Sequence, residues 1–151
     1  MRVGDVVEDF EATDETGTKI RFSDYLAKGP VALFFYPKAM TTGCTKESCH
    51  FRDLHGEFTA LGAQPVGISP DPVPKQKDFA TKHSFTYPLL SDEGGTVADQ
   101  FGVRRKKITP VKRTTFVIGR DGRIIETIAS ELRMNLHADK ALDVLKGQGG
   151  Q

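Results

Sequence analysis

The chain has 151 residues, of which 38% are apolar and 27% charged, a composition typical of one soluble globular domain. Its 21 lysines and arginines nearly balance 20 aspartates and glutamates, which argues against a nucleic-acid or anionic-membrane partner. The longest apolar run extends from Val31 to Tyr36, far short of the roughly 20 residues that cross a bilayer. We therefore expect a single domain over residues 1–151 with no membrane and no nucleic-acid function.

The N-terminal segment does not have the pattern of an export signal. Acidic residues stand where a signal peptide would need an apolar stretch, namely Asp5, Glu8 and Asp9. We therefore expect a cytoplasmic protein. Its only cysteines, Cys44 and Cys49, are too few for a disulfide framework. In a reducing cytosol such a pair is more often catalytic, redox-sensing or metal-binding than structural.

The residue pattern of the N-terminal third predicts a hairpin followed by a buried strand. Residues 10–22 have the pattern of a short hairpin around a turn at 14–17, and a turn or short helix follows near 23–26. The run 31–36 is apolar throughout, which is typical of a strand buried on both faces of an α/β sheet. Pro37 ends this strand because proline cannot donate a hydrogen bond to the sheet.

The middle of the chain alternates helices and strands. An apolar stripe at helical spacing comprises Phe51, Leu54, Phe58 and Leu61. It predicts one helix from about residue 43 to 61, which Gly62 ends. A short strand is expected at 65–69, and Pro74 begins a second helix that continues to about residue 83.

The C-terminal third adds a strand at 87–90, a short helix at 96–101 and a hairpin with strands at 114–118 and 123–129. A last helix ends near Gly147, and its apolar positions are Ala138, Ala141, Leu142 and Leu145. We expect the tail 147–151 to be loose.

This order of elements indicates the fold class. Alternating strands and helices in the middle of the chain predict parallel pairing, whereas the late hairpin adds antiparallel strands. The sequence therefore predicts an α/β domain of three layers, with a mixed central sheet and an N-terminal hairpin.

The cysteines lie on different sides of the first long helix. Cys44 follows the end of a buried strand and lies within ~20° of Phe51 around the helix, so it faces the core. Cys49 lies ~140° further round, away from the apolar stripe. Residues five apart in an ideal helix have Cα atoms ~8.7 Å apart, and a disulfide tolerates at most ~7 Å. A disulfide between them would therefore require the helix to unwind locally.

A reactive cysteine at this position needs a cation. An ordinary thiol with a pKa near ~8.5 is only a few per cent ionised at neutral pH. Making it mostly thiolate requires about 3 kcal/mol, whereas a helix N-terminus typically supplies ~0.3–1 kcal/mol. Arg113, which leads into the strand 114–118, is the best candidate, and from the residues alone it is either an exposed strand-end residue or part of a site. The charged run 104–107 has the pattern of a solvated loop.

The segment from Phe35 to Cys49 resembles the active-site segment of peroxiredoxins, most closely the bacterioferritin comigratory protein, or peroxiredoxin Q, subfamily. The family pattern Pro-x-x-x-Thr-x-x-Cys is met by Pro37, Thr41 and Cys44. A second cysteine five residues on marks the resolving thiol of this subfamily, and Cys49 occupies that position. Arg113 before Thr-x-Phe matches the arginine of the family.

The resemblance covers nearly the whole chain, with one departure in the active-site segment. Thr42 stands where this subfamily usually carries proline, so we expect a loop of altered stiffness with the chemistry retained.

The resemblance implies a thioredoxin-like fold and a thiol peroxidase. Cys44 would attack a hydroperoxide and become a sulfenic acid, and Cys49 would then form an intramolecular disulfide that thioredoxin or a similar thiol reductant resets. No cofactor and no metal are implied. Without a third cysteine near the C-terminus, we expect a monomer or a weak dimer.

Further roles in the site follow from the same resemblance. Arg113, the Thr41 hydroxyl and the backbone N–H of Cys44 would donate hydrogen bonds to the leaving oxygen. Pro37 would limit water access and shape the pocket. Glu47 shares the helix face of Cys44 and would orient Arg113, or it is simply a glutamate favoured by the helix dipole in the first turn.

Two other classes of function remain as alternatives. A metal-binding module could use Cys44, Cys49, His50 and His55. Zinc sites prefer cysteines two to four residues apart, and the spacing here scatters the four groups around the helix. A thiol–disulfide exchanger is the second alternative, although the chain lacks Cys-x-x-Cys. A glutathione-peroxidase-like enzyme is disfavoured because that family relies on a tryptophan, and this chain has none.

Overall fold

The computed structural model describes residues 1–105 and 110–148. Residues 106 and 107 of the charged run and the last three residues of the expected loose tail lie outside the described residues. None of the described helices is long and apolar enough to span a membrane. The elements follow in the order β1 (Glu11–Asp14), β2 (Lys19–Arg21), α1 (Phe22–Leu26), β3 (Val31–Phe35), α2 (Thr42–Asp53), α3 (His55–Ala60), β4 (Gln64–Ser69), α4 (Val73–His83), β5 (Leu89–Ser91), α5 (Thr96–Phe101), β6 (Thr114–Ile118), β7 (Ile124–Ala129) and α6 (Met134–Gln148).

The strands form one seven-stranded mixed sheet in the order β2-β1-β5-β4-β3-β6-β7. The central strands β5, β4 and β3 are parallel to one another, as the alternation of strands and helices predicted. The N-terminal hairpin joins one edge through antiparallel pairing of β1 with β5, and the C-terminal hairpin forms the other edge. The predicted three-layer α/β architecture with a mixed sheet is confirmed.

Alternation along β3 divides the apolar core into two clusters, one on each face of the sheet. Val31, Leu33 and Phe35 point towards helices α1 and α5, and we call this side the α1/α5 face. The intervening Phe34 packs with helices α2, α3, α4 and α6 on the opposite side, the α2/α4/α6 face. Successive side chains of a strand point to opposite faces of the sheet. Every residue of β3 is buried because helices cover both faces.

The prediction of one helix over residues 43–61 is wrong in one respect, because the helix is interrupted at Leu54. This residue has φ −95° and ψ 1°, outside the helical region, and separates α2 from α3. Gly56 lowers the helix propensity of this stretch by about 1 kcal/mol relative to alanine. Packing therefore decides the backbone here, and the rings of Phe51 and Phe58 lie 5.9 Å apart in the same cluster.

The predicted strand at 87–90 is shifted towards the C-terminus in the structure. Strand β5 begins at Leu89, immediately after Pro88, which has no N–H to donate to a neighbouring strand. The remaining predicted helices and strands agree with the structure to within a few residues.

Candidate active site

Cys44 lies in the first turn of α2, directly beyond the carboxyl end of the buried strand β3, and its side chain is fully buried. The first hydrogen bond across the helix N-terminus runs from the Thr45 N–H to the Thr41 carbonyl at 2.9 Å. The N–H of Cys44 therefore precedes the helical ladder and can donate to a bound group. Just before the helix, Met40 has φ +70°, a left-handed conformation that costs a non-glycine residue about 1–3 kcal/mol.

The structure places Arg113 beside the Cys44 thiol rather than at an exposed strand end. It is 5% exposed, and its Nη2 donates to Cys44 Sγ at 3.1 Å. Its Nη1 donates to Glu47 Oε1 at 2.6 Å. Burial lowers the Arg113 pKa, but the charges of Glu47 and Cys44 outweigh this effect and raise it. The guanidinium therefore stays charged between an acid and a thiol.

Gly43 allows this close approach. A Cβ atom at this position would lie 3.4 Å from Arg113 Nη2 and 3.1 Å from Cε of Met134, the first residue of α6. A larger residue would therefore press on the guanidinium and on the start of α6.

Glu47 is fully buried one helical turn after Cys44 and contacts two basic side chains. Its Oε1 accepts the hydrogen bond from Arg113, whereas its Oε2 lies 3.5 Å from Nδ1 of His137. Oε2 has no hydrogen-bond partner within the described ranges. Burial raises the pKa of Glu47 to about 8, against the opposing effect of the Arg113 charge. The structure thus places Glu47 where it can hold Arg113 against the thiol.

Thr41 and Pro37 lie in the loop between β3 and α2, which precedes Cys44 in the chain. Thr41 is exposed and precedes α2, and its hydroxyl donates to the Lys38 carbonyl at 2.8 Å. The single hydroxyl proton is therefore already used, and the free lone pairs of Thr41 can accept a hydrogen bond. Pro37 is half-buried immediately after β3.

Cys49 lies five residues after Cys44 in the same uninterrupted helix, and both cysteines are free thiols. It is partly exposed, as its position away from the apolar stripe predicted. Burial raises the pKa of Cys49, and the neighbouring charge of Arg52 only partly opposes this. The reduced protein therefore holds the thiols on different sides of an intact helix.

A model of the AhpC/TSA family matches residues 3–127 of the chain. The chain is 36% identical to the peroxiredoxin Bcp of Bacillus subtilis, covering 97% of this chain and 96% of the relative. This chain is a peroxiredoxin of the AhpC/TSA family. The peroxidoxin BcpB structure from Mycobacterium tuberculosis superposes with a TM-score of 0.94 at 59% identity, covering 97% of both chains. A Xanthomonas campestris peroxiredoxin Q structure superposes with a TM-score of 0.85 at 29% identity, covering 93% of this chain and 91% of that one.

These similarities confirm the predicted peroxiredoxin fold, which is thioredoxin-like, and the resemblance to the Bcp and peroxiredoxin Q group. Within this peroxiredoxin, the groups of the metal-binding alternative do not converge. His50 Nε2 lies 2.7 Å from Asp139 of α6, and His55 Nδ1 lies 2.5 Å from the Thr86 hydroxyl. In the part of the chain that the structure describes, no group of three His, Cys, Asp or Glu side chains could hold a metal ion.

Sequence reasoning missed one residue of the site, His137 on α6. Its side chain is fully buried, lies beside Glu47 and contacts Thr115 of β6. A signal for it exists in the sequence, because His137 stands four residues before Ala141 and eight before Leu145. That spacing places a histidine on the apolar, core-facing side of the last helix of the peroxiredoxin.

Proposed function

We propose that Cys44 is the peroxidatic nucleophile of this peroxiredoxin, and that its thiol peroxidase reaction proceeds through a Cys44 sulfenic acid and a Cys44–Cys49 disulfide. The carrying observation is the 3.1 Å contact between the Arg113 guanidinium and Cys44 Sγ inside a buried site. A cation ~4 Å from the sulfur already contributes about 4 kcal/mol at an effective dielectric near 20, more than the helix dipole alone supplies. The contact therefore supports a thiolate at Cys44.

In the first step, the thiolate sulfur attacks the terminal oxygen of the hydroperoxide. An S–O bond forms and the O–O bond breaks. Its electron pair stays on the leaving oxygen, which takes a proton from water to become water or an alcohol. Negative charge develops on that oxygen, so hydrogen-bond donors directed at it accelerate the reaction. The Nη2 of Arg113 and the N–H of Cys44, which precedes the helical hydrogen bonds of α2, are the donors that the geometry offers.

The loop residues and Glu47 have supporting roles in this proposal. Thr41 accepts a hydrogen bond from the hydroperoxide O–H, because its own proton is donated to the Lys38 carbonyl. As a donor to the leaving oxygen it would first have to rotate. Pro37, at the start of the same loop, limits water access to the thiol. Glu47 orients the Arg113 guanidinium, because it accepts a hydrogen bond of 2.6 Å from Nη1 and leaves Nη2 to donate to the Cys44 sulfur.

In the second step, the Cys49 thiol attacks the sulfenic sulfur of Cys44, and water leaves as the disulfide forms. The intact helix keeps these residues ~8.7 Å apart at Cα, beyond the reach of a disulfide. The first turns of α2 must therefore unwind. Reduction then requires a dithiol reductant, and resemblance to the subfamily favours thioredoxin. We place this cycle in the cytoplasm and in a monomer or weak dimer.

Mass spectrometry after an equimolar amount of hydrogen peroxide tests the proposal. We expect a loss of both thiol hydrogens and a peptide in which Cys44 is crosslinked to Cys49. The matched variant Cys49→Ser should instead gain one oxygen at Cys44 and stall, or over-oxidise, with thioredoxin as reductant. Normal steady-state turnover by Cys49→Ser would show that an external thiol resolves Cys44. An unmodified Cys44 in the wild-type protein would refute its role as nucleophile.

A further inference from the structure

His137 is a fully buried histidine that takes part in neither step of the proposed reaction. Its Nε2 lies 2.9 Å from the Ser130 carbonyl oxygen. A carbonyl can only accept, so Nε2 carries a hydrogen. Its Nδ1 lies 2.8 Å from the Thr115 hydroxyl and 3.5 Å from Glu47 Oε2. The titrating atom of the ring is therefore Nδ1, and it faces the carboxyl oxygen that has no other partner in the described part of the chain.

We propose that His137 is a positioning residue that shares one proton with Glu47, so that the positive charge of Arg113 remains available to the Cys44 thiolate and to the leaving oxygen. This inference rests on the proposed role of Cys44. The proton lies either on Glu47 Oε2 or on His137 Nδ1, and in both arrangements the pair carries no net charge.

The charge balance of the site supports a shared proton. Arg113 contacts two acids, Glu47 at 2.6 Å and Cys44 at 3.1 Å. If Glu47 were ionised beside a neutral imidazole, its charge would cancel that of Arg113 and leave a buried thiolate uncompensated. A buried charge without a partner is strongly unfavourable. One proton on the Glu47–His137 pair makes the site neutral when Cys44 is a thiolate.

The other polar groups around the Glu47–His137 pair do not supply the positive charge that this proton supplies. Glu131, in the loop before α6, accepts from the Arg113 backbone N–H at 3.2 Å and pairs with Arg105 at 3.3 Å. The Tyr87 phenol donates to the Ser48 carbonyl at 2.6 Å. Burial raises the Glu47 pKa to about 8 and lowers the His137 pKa, so near neutral pH the proton lies on the carboxyl side of the pair.

The proposal predicts how two substitutions affect the pH profile. His137 Nδ1 lies 3.5 Å from Glu47 Oε2, and as a hydrogen-bond acceptor it favours the protonated form of that carboxyl. His137→Gln keeps an amide for the Ser130 carbonyl but cannot bind the proton, so the pair should lose its proton at a lower pH. Glu47→Gln keeps an oxygen for Arg113 and cannot ionise at all.

Stopped-flow measurement of the rate constant for Cys44 oxidation by hydrogen peroxide tests this across the pH range. The wild-type rate should fall as pH rises through about 8. His137→Gln should move this fall to lower pH, because an amide oxygen is a weaker acceptor for the carboxyl proton than an imidazole nitrogen, and Glu47→Gln should abolish it. In the Glu47→Gln background, adding His137→Gln should change nothing further. Should His137→Gln fail to fold, His137→Asn, whose amide reaches the Nδ1 position, replaces it.

A surface pair provides the matched control. His50 of α2 contacts Asp139 of α6 at 2.7 Å, an imidazole–carboxylate contact between the same helices, but with Asp139 exposed. His50→Gln should leave the pH profile as in the wild type. A wild-type profile in His137→Gln, or an equal further effect of His137→Gln in the Glu47→Gln background, would overturn the role of His137. A wild-type Cys44 that does not react with peroxide would instead refute the proposed function.

Discussion

The two faces of the sheet are equally well buried but bury different chemistry. On the α1/α5 face the rings of Phe35, Phe101 and Phe116 pack within 5.9 Å of one another in an apolar cluster. The buried polar residues on that side include Thr114 and Asp92, whose carboxylate accepts from two N–H groups at the start of α5. On the α2/α4/α6 face the core also contains Cys44 together with fully or almost fully buried polar groups, namely Glu47, Arg113, Thr115 and His137. The proposed reaction uses only the second face, so the first can be altered to change stability alone.

The polar face is costly to build. Each buried ion loses several kcal/mol of hydration, which only good geometry and further hydrogen bonds recover. The Arg113 guanidinium is compensated by its hydrogen bond to the Glu47 carboxyl. The polar atoms of the His137 ring are compensated by contacts with the Ser130 carbonyl and the Thr115 hydroxyl. Substitutions on the two faces should therefore separate activity from stability.

Substitution of the nucleophile should have the largest effect. Cys44→Ser removes the thiolate and should lower peroxide consumption by at least about a thousandfold. The smaller hydroxyl can still accept from Arg113, so the free energy of unfolding should change by less than about 2 kcal/mol. Peroxide consumption and urea unfolding of the same preparation measure both. Turnover close to that of the wild type would contradict the assignment of Cys44.

On the opposite face, Phe101→Ala should show the reverse pattern. The Phe101 side chain is 1% exposed and packs against the rings of Phe10, Phe35 and Phe116. Its truncation should lower the free energy of unfolding by about 3–5 kcal/mol. The folded protein should keep kcat/KM within about threefold of the wild type, because the ring lies across the sheet from Cys44. A large loss of kcat/KM in fully folded Phe101→Ala would show that the faces are coupled.

The division between the faces could be predicted from the sequence only in part. The apolar run of β3 and the stripe through Phe51 and Phe58 predict the strand, the helix and the inward direction of Cys44, because these depend on local periodicity. The break at Leu54 was missed, because a weak helix former leaves the decision to tertiary packing. The position of the N-terminal hairpin beside β5 depends on pairing between distant strands, which periodicity does not report.

The candidate site divides in the same way. Cys44, Cys49, Thr41 and Pro37 lie in one segment and are found from their spacing and from the family resemblance. Arg113 was expected as a cation, but from the residues alone its burial was undecided. His137 was missed, because a lone histidine on a helix indicates a site only when the groups that it faces are known. Those groups come from β6, α2 and the loop before α6.

Substitution of the buried cation should have an intermediate effect. Arg113→Lys keeps the charge but cannot donate to Cys44 and Glu47 in a planar fork. We expect kcat/KM to fall by about a hundredfold, as when one donor to a developing anion is lost. The matched control is Arg104→Lys, because Arg104 forms an exposed pair with Asp99 at 2.8 Å. It should leave activity unchanged and alter stability by less than about 1 kcal/mol. Equal effects of both substitutions would remove the distinction between buried and exposed arginines.

The smallest expected effect is a slope in stability against pH that originates on the polar face. The pKa of Glu47 is raised from its usual 4.5 to about 8, so the folded protein keeps a proton that the unfolded chain has already released. Stability from this group is complete below about pH 4.5 and is lost as pH rises to about 8. In the window from 6.5 to about 8 His137 adds little to this slope, because its lowered pKa makes it neutral in the folded protein and its ordinary pKa of 6.5 makes it increasingly neutral in the unfolded chain.

Urea unfolding of the reduced protein across this window should show a decline that Glu47→Gln lacks. The difference between the two proteins should reach roughly 1–2 kcal/mol at the upper end, since each pH unit is worth about 1.4 kcal/mol per proton. Glu57→Gln, at an exposed position of α3, is the control and should decline like the wild type. Identical slopes for all three proteins would mean that Glu47 is ionised throughout. Arg113 would then be neutralised by its own carboxylate, and the polar face would lack the charge that its buried thiolate requires.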